Sequence, residues 1–380
     1  MLVYDFAVIG AGVFGSWTAW HLVRAGRRVL LLDAWGAGHS RSSSGGETRI
    51  IRMGYGQDAL YTRMAVQSLA LWKHLENGAG ETLFHPTGVL WMARGNHRYS
   101  LATQSVLAEI GVPFEVLTAA RLAERYPQFR LSAGDAYGIF EPESGALMAR
   151  RAVNAVVRNA VAGGLEYATA AVRISPGGRV HTESGEELHA GAYVFACGPW
   201  LPKLFPEVLG RRIFPTRQEV MFFAPRAGDS RFAASAFPAW IDFSDPRGPY
   251  GFPDLEGRGV KLAFDLHGPA FDPDTGGRLV SAAGVDAARR FLAERIPALR
   301  DAPLTETRVC QYANTSNGDF LLDRHPEFAN VWLAGGGSGH GFKHGPVVGA
   351  YLCARLLEAS AEEPRFSLAA KQETQQRTVY

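Results

Sequence analysis

The feature that most constrains this chain lies close to its beginning. A β-type run, Tyr4 to Ile9, leads directly into Gly10-Ala-Gly12-Val-Phe-Gly15. Ser16 to Ala25 then places Trp17, Trp20, His21 and Val23 at helical spacing, and Gly26 is a natural C-cap. A second strand, Arg28 to Leu32, ends in Asp33. Strand, glycine turn, helix, strand and acid within about thirty residues form the dinucleotide-binding fingerprint in its proper context. Gly10 permits the tight turn, Gly12 lets a pyrophosphate approach the backbone, and Gly15 lets the helix pack closely on the sheet. The helix N-terminus offers N–H groups to the phosphates, and Asp33 is placed to accept hydrogen bonds from a ribose.

At 380 residues the chain suits two intimately packed domains. Hydrophobic residues at 47% and charged residues at 20% describe a globular protein. A net charge of +2 gives no basic field for nucleic acid or anionic lipid. No apolar stretch reaches the roughly 18 to 20 residues that span a bilayer. Met1 to Gly10 lacks the n-region and h-region of a signal peptide. The 3 cysteines, Cys197, Cys310 and Cys353, are too few for a disulfide framework, and no spacing suggests a metal site. A reducing, cytoplasmic setting is the expectation.

Further along, helical periodicity is expected over Leu60 to Glu76, Ala119 to Tyr126, Gly145 to Gly163, Val285 to Ile296 and Val347 to Leu357. Gly36 to Gly46 is a loop, followed by the unusual string Glu47-Thr-Arg49-Ile-Ile-Arg52. Buried strands are expected at Ala192 to Ala196 and Val331 to Ala334, the second running into a glycine-rich turn from Gly335 to Gly345. Arg212 to Ala313 reads as strands and turns rich in proline and aromatics, and the polar tail from Lys371 to Tyr380 is expected to fray. Cofactor-type segments thus lie near the start, middle and end. A fingerprint at the N-terminus paired with a second glycine turn near the C-terminus suits FAD, a cofactor long enough to be gripped at both ends. The expected class is α/β (α+β overall). A discontinuous Rossmann-type FAD-binding domain (1–85, 145–211 and 315–380) would carry an inserted mixed-sheet substrate-binding domain (86–144 and 212–314).

Several strings in order, Thr48-Arg-Ile-Ile-Arg52, Tyr250-Gly-Phe-Pro253, Cys310-Gln-Tyr-Ala-Asn314, Asp323-Arg-His-Pro326 and Gly339-His-Gly-Phe-Lys343, extend the likeness over nearly the whole chain. With them the chain resembles the D-amino-acid-oxidase-type flavoproteins, within these the monomeric sarcosine oxidase and N-methyltryptophan oxidase group. The resemblance implies FAD joined covalently through Cys310, with cofactor contacts at Ser42, Val172, Gly339, Gly341 and Lys343. It implies that Arg52 and Lys343 grip a substrate carboxylate, as a planar fork and a point charge can. It places Arg49 beside the flavin ring, makes Lys261 the cation that promotes reaction with oxygen, and lines the pocket with Tyr250 and Tyr312. The implied activity is that of a monomeric amine oxidase producing an imine and hydrogen peroxide from a small amine and O2. A dehydrogenase with another electron acceptor is the alternative.

Two positions depart from that group. Gly45 and Asp265 stand where sarcosine oxidase has active-site histidines, which would enlarge the pocket and make it more negative. Sarcosine itself is therefore not the expected substrate. Asp265 either faces substrate or pairs with Lys261, and nothing in the sequence marks a dedicated base.

Overall fold

The computed structural model describes residues 4–131, 134–358 and 360–375. Two large sheets organise it. The first has six strands in the order Leu321–Arg324, Val331–Gly335, Ala190–Phe195, Tyr4–Ile9, Val29–Asp33 and Glu166–Thr169. All neighbours are parallel except the pair at the Leu321–Arg324 edge. Val29–Asp33 is buried at every position, as a parallel strand covered on both faces must be. The second sheet has eight strands, from Leu304–Asn314 at one edge to Glu115–Thr118 at the other. All of its strands lie within 86–144 and 212–314. A small sheet joins the two regions: Gly145–Met148 pairs with Thr48–Ile51 on one side and Phe84–His85 on the other.

The helix Val13–Arg24 is the hub of the cofactor side. Its face carries Trp17, which meets Trp20 and Trp72 edge-on at 5.1 Å each. The C-terminal helix Gly345–Leu356 crosses it at two glycines. A Cβ at Gly345 would lie 2.4 Å from a Val13 methyl, and one at Gly349 would lie 2.5 Å from the Trp17 backbone carbon. Inside the helix Gly349 costs propensity, about 1 kcal/mol against alanine, and its close backbone contact offsets it.

Four local expectations need correction. Gly145–Met148 is a strand, and the amphipathic helix begins only at Ala149 and runs to Ala162. The apolar residues before Ala149 face the small sheet, so tertiary pairing overrides the helical pattern. Thr48–Ile51, read only as an unusual string, is a strand. Arg98–Ile110 is a helix that the pattern did not reveal, because its buried face includes Ser100 and Thr103 beside Val106 and Leu107. The start of the tail is not frayed. Lys371 is buried with its ammonium on the Arg365 carbonyl, and Gln372 N–H donates to Ser316 Oγ at 3.0 Å. Residues 376–380 lie outside the described residues.

Gly349→Ala tests the helix crossing. The methyl would strike main chain rather than a movable side-chain tip, so the expected loss is about 1–3 kcal/mol despite the better helix propensity. Urea unfolding of the flavin-loaded protein measures it, and a stabilised variant would show that the helices are not in backbone contact.

Candidate functional site

Gly10 sits at φ +105°, a backbone conformation open to glycine, and a Cβ there would lie 2.5 Å from the Ala196 carbonyl oxygen. At Gly15 a Cβ would lie 1.9 Å from the Gly10 oxygen. Gly12 differs: the nearest atom to its Cβ position is Ser44 Oγ at 3.5 Å. Protein atoms close two of the glycines, while the third leaves room. Asp33 Oδ2 accepts from Ala11 N–H at 2.8 Å, and its Oδ1 accepts from the amides of Trp35 and Gly36 at 2.9 and 3.0 Å. The carboxylate thereby fixes the glycine turn and the following loop, a role that reading it as a ribose ligand alone had missed.

These residues open onto a cavity of about 660 Å³. Gly10, Gly12, Asp33, Ser42 and Val172 line it, as do Arg49, Cys310, Tyr312, Gly339 and Gly341 far along the chain. The glycine turn from Gly336 closes the second end. Gly339 has φ +78°, and a Cβ there would come within 2.7 Å of the Tyr312 ring, so the ring rests on that glycine. Ser338 adopts φ +44°, held by Thr315 N–H donating to its Oγ at 3.1 Å and by its own bond to the Gly336 carbonyl at 2.9 Å. Such strain in a non-glycine residue persists only where neighbours impose it.

Cys310 and Tyr312 are two apart on one strand and face the same way. The Arg49 guanidinium donates to Cys310 Sγ at 3.3 Å, to Ser43 O at 2.5 Å and to Thr48 O at 2.7 Å. The same Thr48 carbonyl accepts from Lys261 Nζ at 2.9 Å, with Thr48 Oγ1 at 3.1 Å. Lys261 is buried, with Nζ 4.5 Å from the Phe252 ring centroid. Burial first, and Arg49 second, push its pKa well below the ordinary lysine value. Of the other cysteines, Cys197 lies at the Gly10 end with its thiol on the Ile9 carbonyl, and burial pushes it up. Cys353 is on the buried face of the C-terminal helix.

A second pair of cations gathers on Tyr55, a residue with no signal in the sequence. Arg52 Cζ lies 4.7 Å from the Tyr55 ring centroid and 4.7 Å from that of Trp91, with its fork on the Gly54 carbonyl. Lys343 Nζ donates to Tyr55 Oη at 2.8 Å and to His340 O at 3.2 Å. Tyr55 Oη also meets His344 Nε2 at 2.7 Å. Burial, then Lys343 and Arg52, hold His344 well below the ordinary imidazole pKa, so it is neutral. Glu141 contributes opposite charge to Arg52, while its own oxygens accept from the amides of Met53 and Gly54 and from Ser144 Oγ. Arg52 and Lys343, 6% and 5% exposed, thus share one aromatic ring in a desolvated setting, an arrangement that an added anion would relieve.

Gly45 turns out differently from the sequence expectation, and one of the two readings of Asp265 falls. Gly45 leaves no extra space: a Cβ there would lie 1.9 Å from the His39 carbonyl oxygen, so backbone already fills the volume. Its own carbonyl accepts from Arg150 and Arg308. Asp265 does not pair with Lys261. Its Oδ1 accepts from Tyr312 Oη at 2.8 Å, and it makes no ion pair among the described residues. No group of metal-ligating side chains and no helix long and apolar enough to cross a membrane occurs among the described residues.

The family model described as FAD dependent oxidoreductase matches residues 5–355. Peroxisomal sarcosine oxidase of Homo sapiens is 32% identical over 360 residues, covering 92% of this chain and 91% of that protein. Monomeric sarcosine oxidase of Bacillus sp. (strain B-0618) is 32% identical over 371 residues, covering 94% and 93%. Among solved structures, L-proline dehydrogenase from P. horikoshii has the same fold, with TM-score 0.83 at 21% identity and 96% of each chain covered. With the paired glycine turns, the long cavity between them and a family match over nearly its whole length, the chain belongs to the D-amino-acid-oxidase family and is an FAD-dependent oxidoreductase.

Proposed function

We propose that this enzyme oxidises a secondary amine bearing a carboxylate, of the N-alkyl amino acid class, to an imine that water hydrolyses, with O2 taking the electrons as hydrogen peroxide. The observation that carries this reading is the pair of buried cations, Arg52 and Lys343, on Tyr55. Two desolvated positive charges beside a redox-cofactor cavity call for an anionic substrate, and a carboxylate matches the arginine fork. The substrate contacts of segments 86–144 and 212–314 would come from the eight-stranded sheet, which carries Tyr250, Lys261 and Tyr312.

The cavity fits FAD. Gly12 leaves the opening that a pyrophosphate needs, Asp33 and Val172 flank the adenosine end, and the Gly339–Gly341 turn borders the flavin end. When bound, FAD supplies the two-electron acceptor and its reoxidation by oxygen. The protein orients and charges the site around it. Cys310 Sγ opens on the cavity at the flavin end, with Arg49 donating to it, which favours the thioether attachment. Arg49 and Lys261 converge on Thr48 O and surround that end with positive charge, which favours any step that builds negative charge there. The monomeric state named for the Bacillus relative, and a small-molecule rather than macromolecular substrate, fit a site whose cations Arg52, Lys261 and Lys343 are buried.

The reading is tested by anaerobic bleaching of the flavin with sarcosine, N-methyl-L-tryptophan, L-proline and their decarboxylated counterparts. The carboxylated amines should bleach it at least about tenfold faster, the equivalent of ~1.4 kcal/mol of differential binding. A panel that leaves the flavin oxidised, or in which the decarboxylated amines win, would exclude it. Attachment is a separate question. Acid-precipitated wild-type protein should keep its yellow colour, and Cys310→Ala should lose it to the supernatant. Flavin washing freely from the wild type would remove Cys310 as the anchor.

Lys261→Met should slow reoxidation of reduced enzyme by oxygen by about 100-fold or more while affecting anaerobic reduction less. The wild-type profile has a definite sign. The cation is the active form and its pKa is held low, so oxygen reactivity should be full at low pH. It should fall as pH rises through a value below the ordinary lysine pKa of about 10.4. Stopped-flow reoxidation across pH measures both effects. Equal damage to the two half-reactions in Lys261→Met would place Lys261 elsewhere.

A further inference from the structure

An amine must shed its proton before its carbon can give up a hydride, since a protonated nitrogen has no lone pair to stabilise the imine. A route for that proton exists beside the cavity. Tyr312 lines the cavity and donates its hydroxyl proton to Asp265 Oδ1 at 2.8 Å. A phenol committed as donor to a carboxylate can only accept on its remaining side. Asp265 stands at the end of the strand Val260–Phe264, its N–H fixed on the Gly248 carbonyl at 2.9 Å, and it is partly open to solvent. Its side chain therefore joins the half-buried tyrosine to the outside.

We propose that Asp265 and Tyr312 form the proton outlet for the substrate amine. This rests on the amine-oxidase reading above. The ammonium N–H bond breaks and an O–H bond to Tyr312 forms as the proton of Tyr312 moves to Asp265 Oδ1. The nitrogen keeps the electron pair, no oxidation state changes, and the carboxylic acid then releases its proton to water. The setting drives transfer outward. Arg49, Arg52, Lys261 and Lys343 are cations around the site, and all of them disfavour a bound ammonium. Tyr312 serves as a relay rather than a resting anion, because burial, and next Asp265, hold its pKa well above the ordinary phenol value.

Several other groups face this pair. Tyr250, on the strand Pro249–Phe252, interacts with the Tyr312 hydroxyl, and burial followed by Asp265 pushes it up to about 12. Cys310 and Arg49 lie on the cavity side, and Lys261 Nζ is 5.9 Å from the Tyr250 ring. His267 packs against the Tyr312 ring at 6.2 Å with Nδ1 on Gln375. Arg247, on the turn facing Asp265, is engaged by Asp245. None of these replaces Asp265 as the acceptor of the Tyr312 proton in the structure.

The experiment uses flavin-loaded enzyme and whichever of sarcosine, N-methyl-L-tryptophan and L-proline bleaches the wild-type flavin fastest. Asp265→Asn and Tyr312→Phe should each slow anaerobic bleaching by about 100-fold near neutral pH, the scale of a lost proton acceptor. Near pH 10, where much of the amine arrives unprotonated, that deficit should narrow at least about tenfold. Asp265→Glu should restore much of the neutral-pH rate. A second readout does not depend on turnover. Anaerobic calorimetry in buffers of different ionisation enthalpy should show proton release on amine binding to the wild type and less release in Asp265→Asn. A deficit that stays constant across pH with unchanged proton release would reduce Asp265 to a packing role, and a wild-type rate in Asp265→Asn would likewise overturn the outlet. If no amine of the panel bleaches the wild-type flavin, the amine-oxidase reading itself has failed, a result distinct from either.

Discussion

Everything at this site depends on backbone meeting backbone where side chains would not fit. Gly15 lies against Gly10, Gly10 against Ala196, and Gly349 against Trp17, each at a distance that a single methyl would violate. These contacts bring three remote parts of the chain onto one helix, Val13–Arg24. Its N-terminus then points along the cavity instead of into a layer of side chains. A looser junction would leave the same residues present and the geometry too slack for a ligand gripped at both ends.

The electrostatics follow from that enclosure. Arg49 and Lys261 gather on one carbonyl and Arg52 and Lys343 on one ring, all but the half-buried Arg49 away from bulk water. Such groups are costly when isolated, and carbonyls and aromatic faces are among the partners that stabilise them. Carbonyls and ring faces hold these cations in place, and their field bears on an anion or on a developing negative charge. Asp265 is the exception, and it touches a phenol instead of a cation.

Much of this was legible in the sequence wherever local chemistry has one structural answer. The Gly10–Gly15 turn, Asp33 and the second turn before Gly345 announce themselves because each spacing serves one geometry. Other features depend on what the chain meets from afar. The Gly145–Met148 segment looks helical until Thr48–Ile51 and Phe84–His85 pair with it. Gly45 suggests an opening until the His39 backbone is found within it. Tyr55 was invisible because a single tyrosine three residues after an arginine carries no pattern. The partner of Asp265 could not be foreseen because Tyr312 lies 47 residues away and meets it only across the sheet.

The order of strands in the first sheet has a consequence for how the protein is made. Tyr4–Ile9 is made long before its neighbour Ala190–Phe195, and Val331–Gly335 comes later still. Trp72 and Asn159 reach Trp17 and Trp20 early, but the far wall of the nucleotide cavity waits for the turn Gly335–Gly341. The last long helix, Gly345–Leu356, caps that apolar face on docking against Val13–Arg24. A cavity walled by segments so far apart in the chain cannot grip its cofactor at both ends until the later segment has been made.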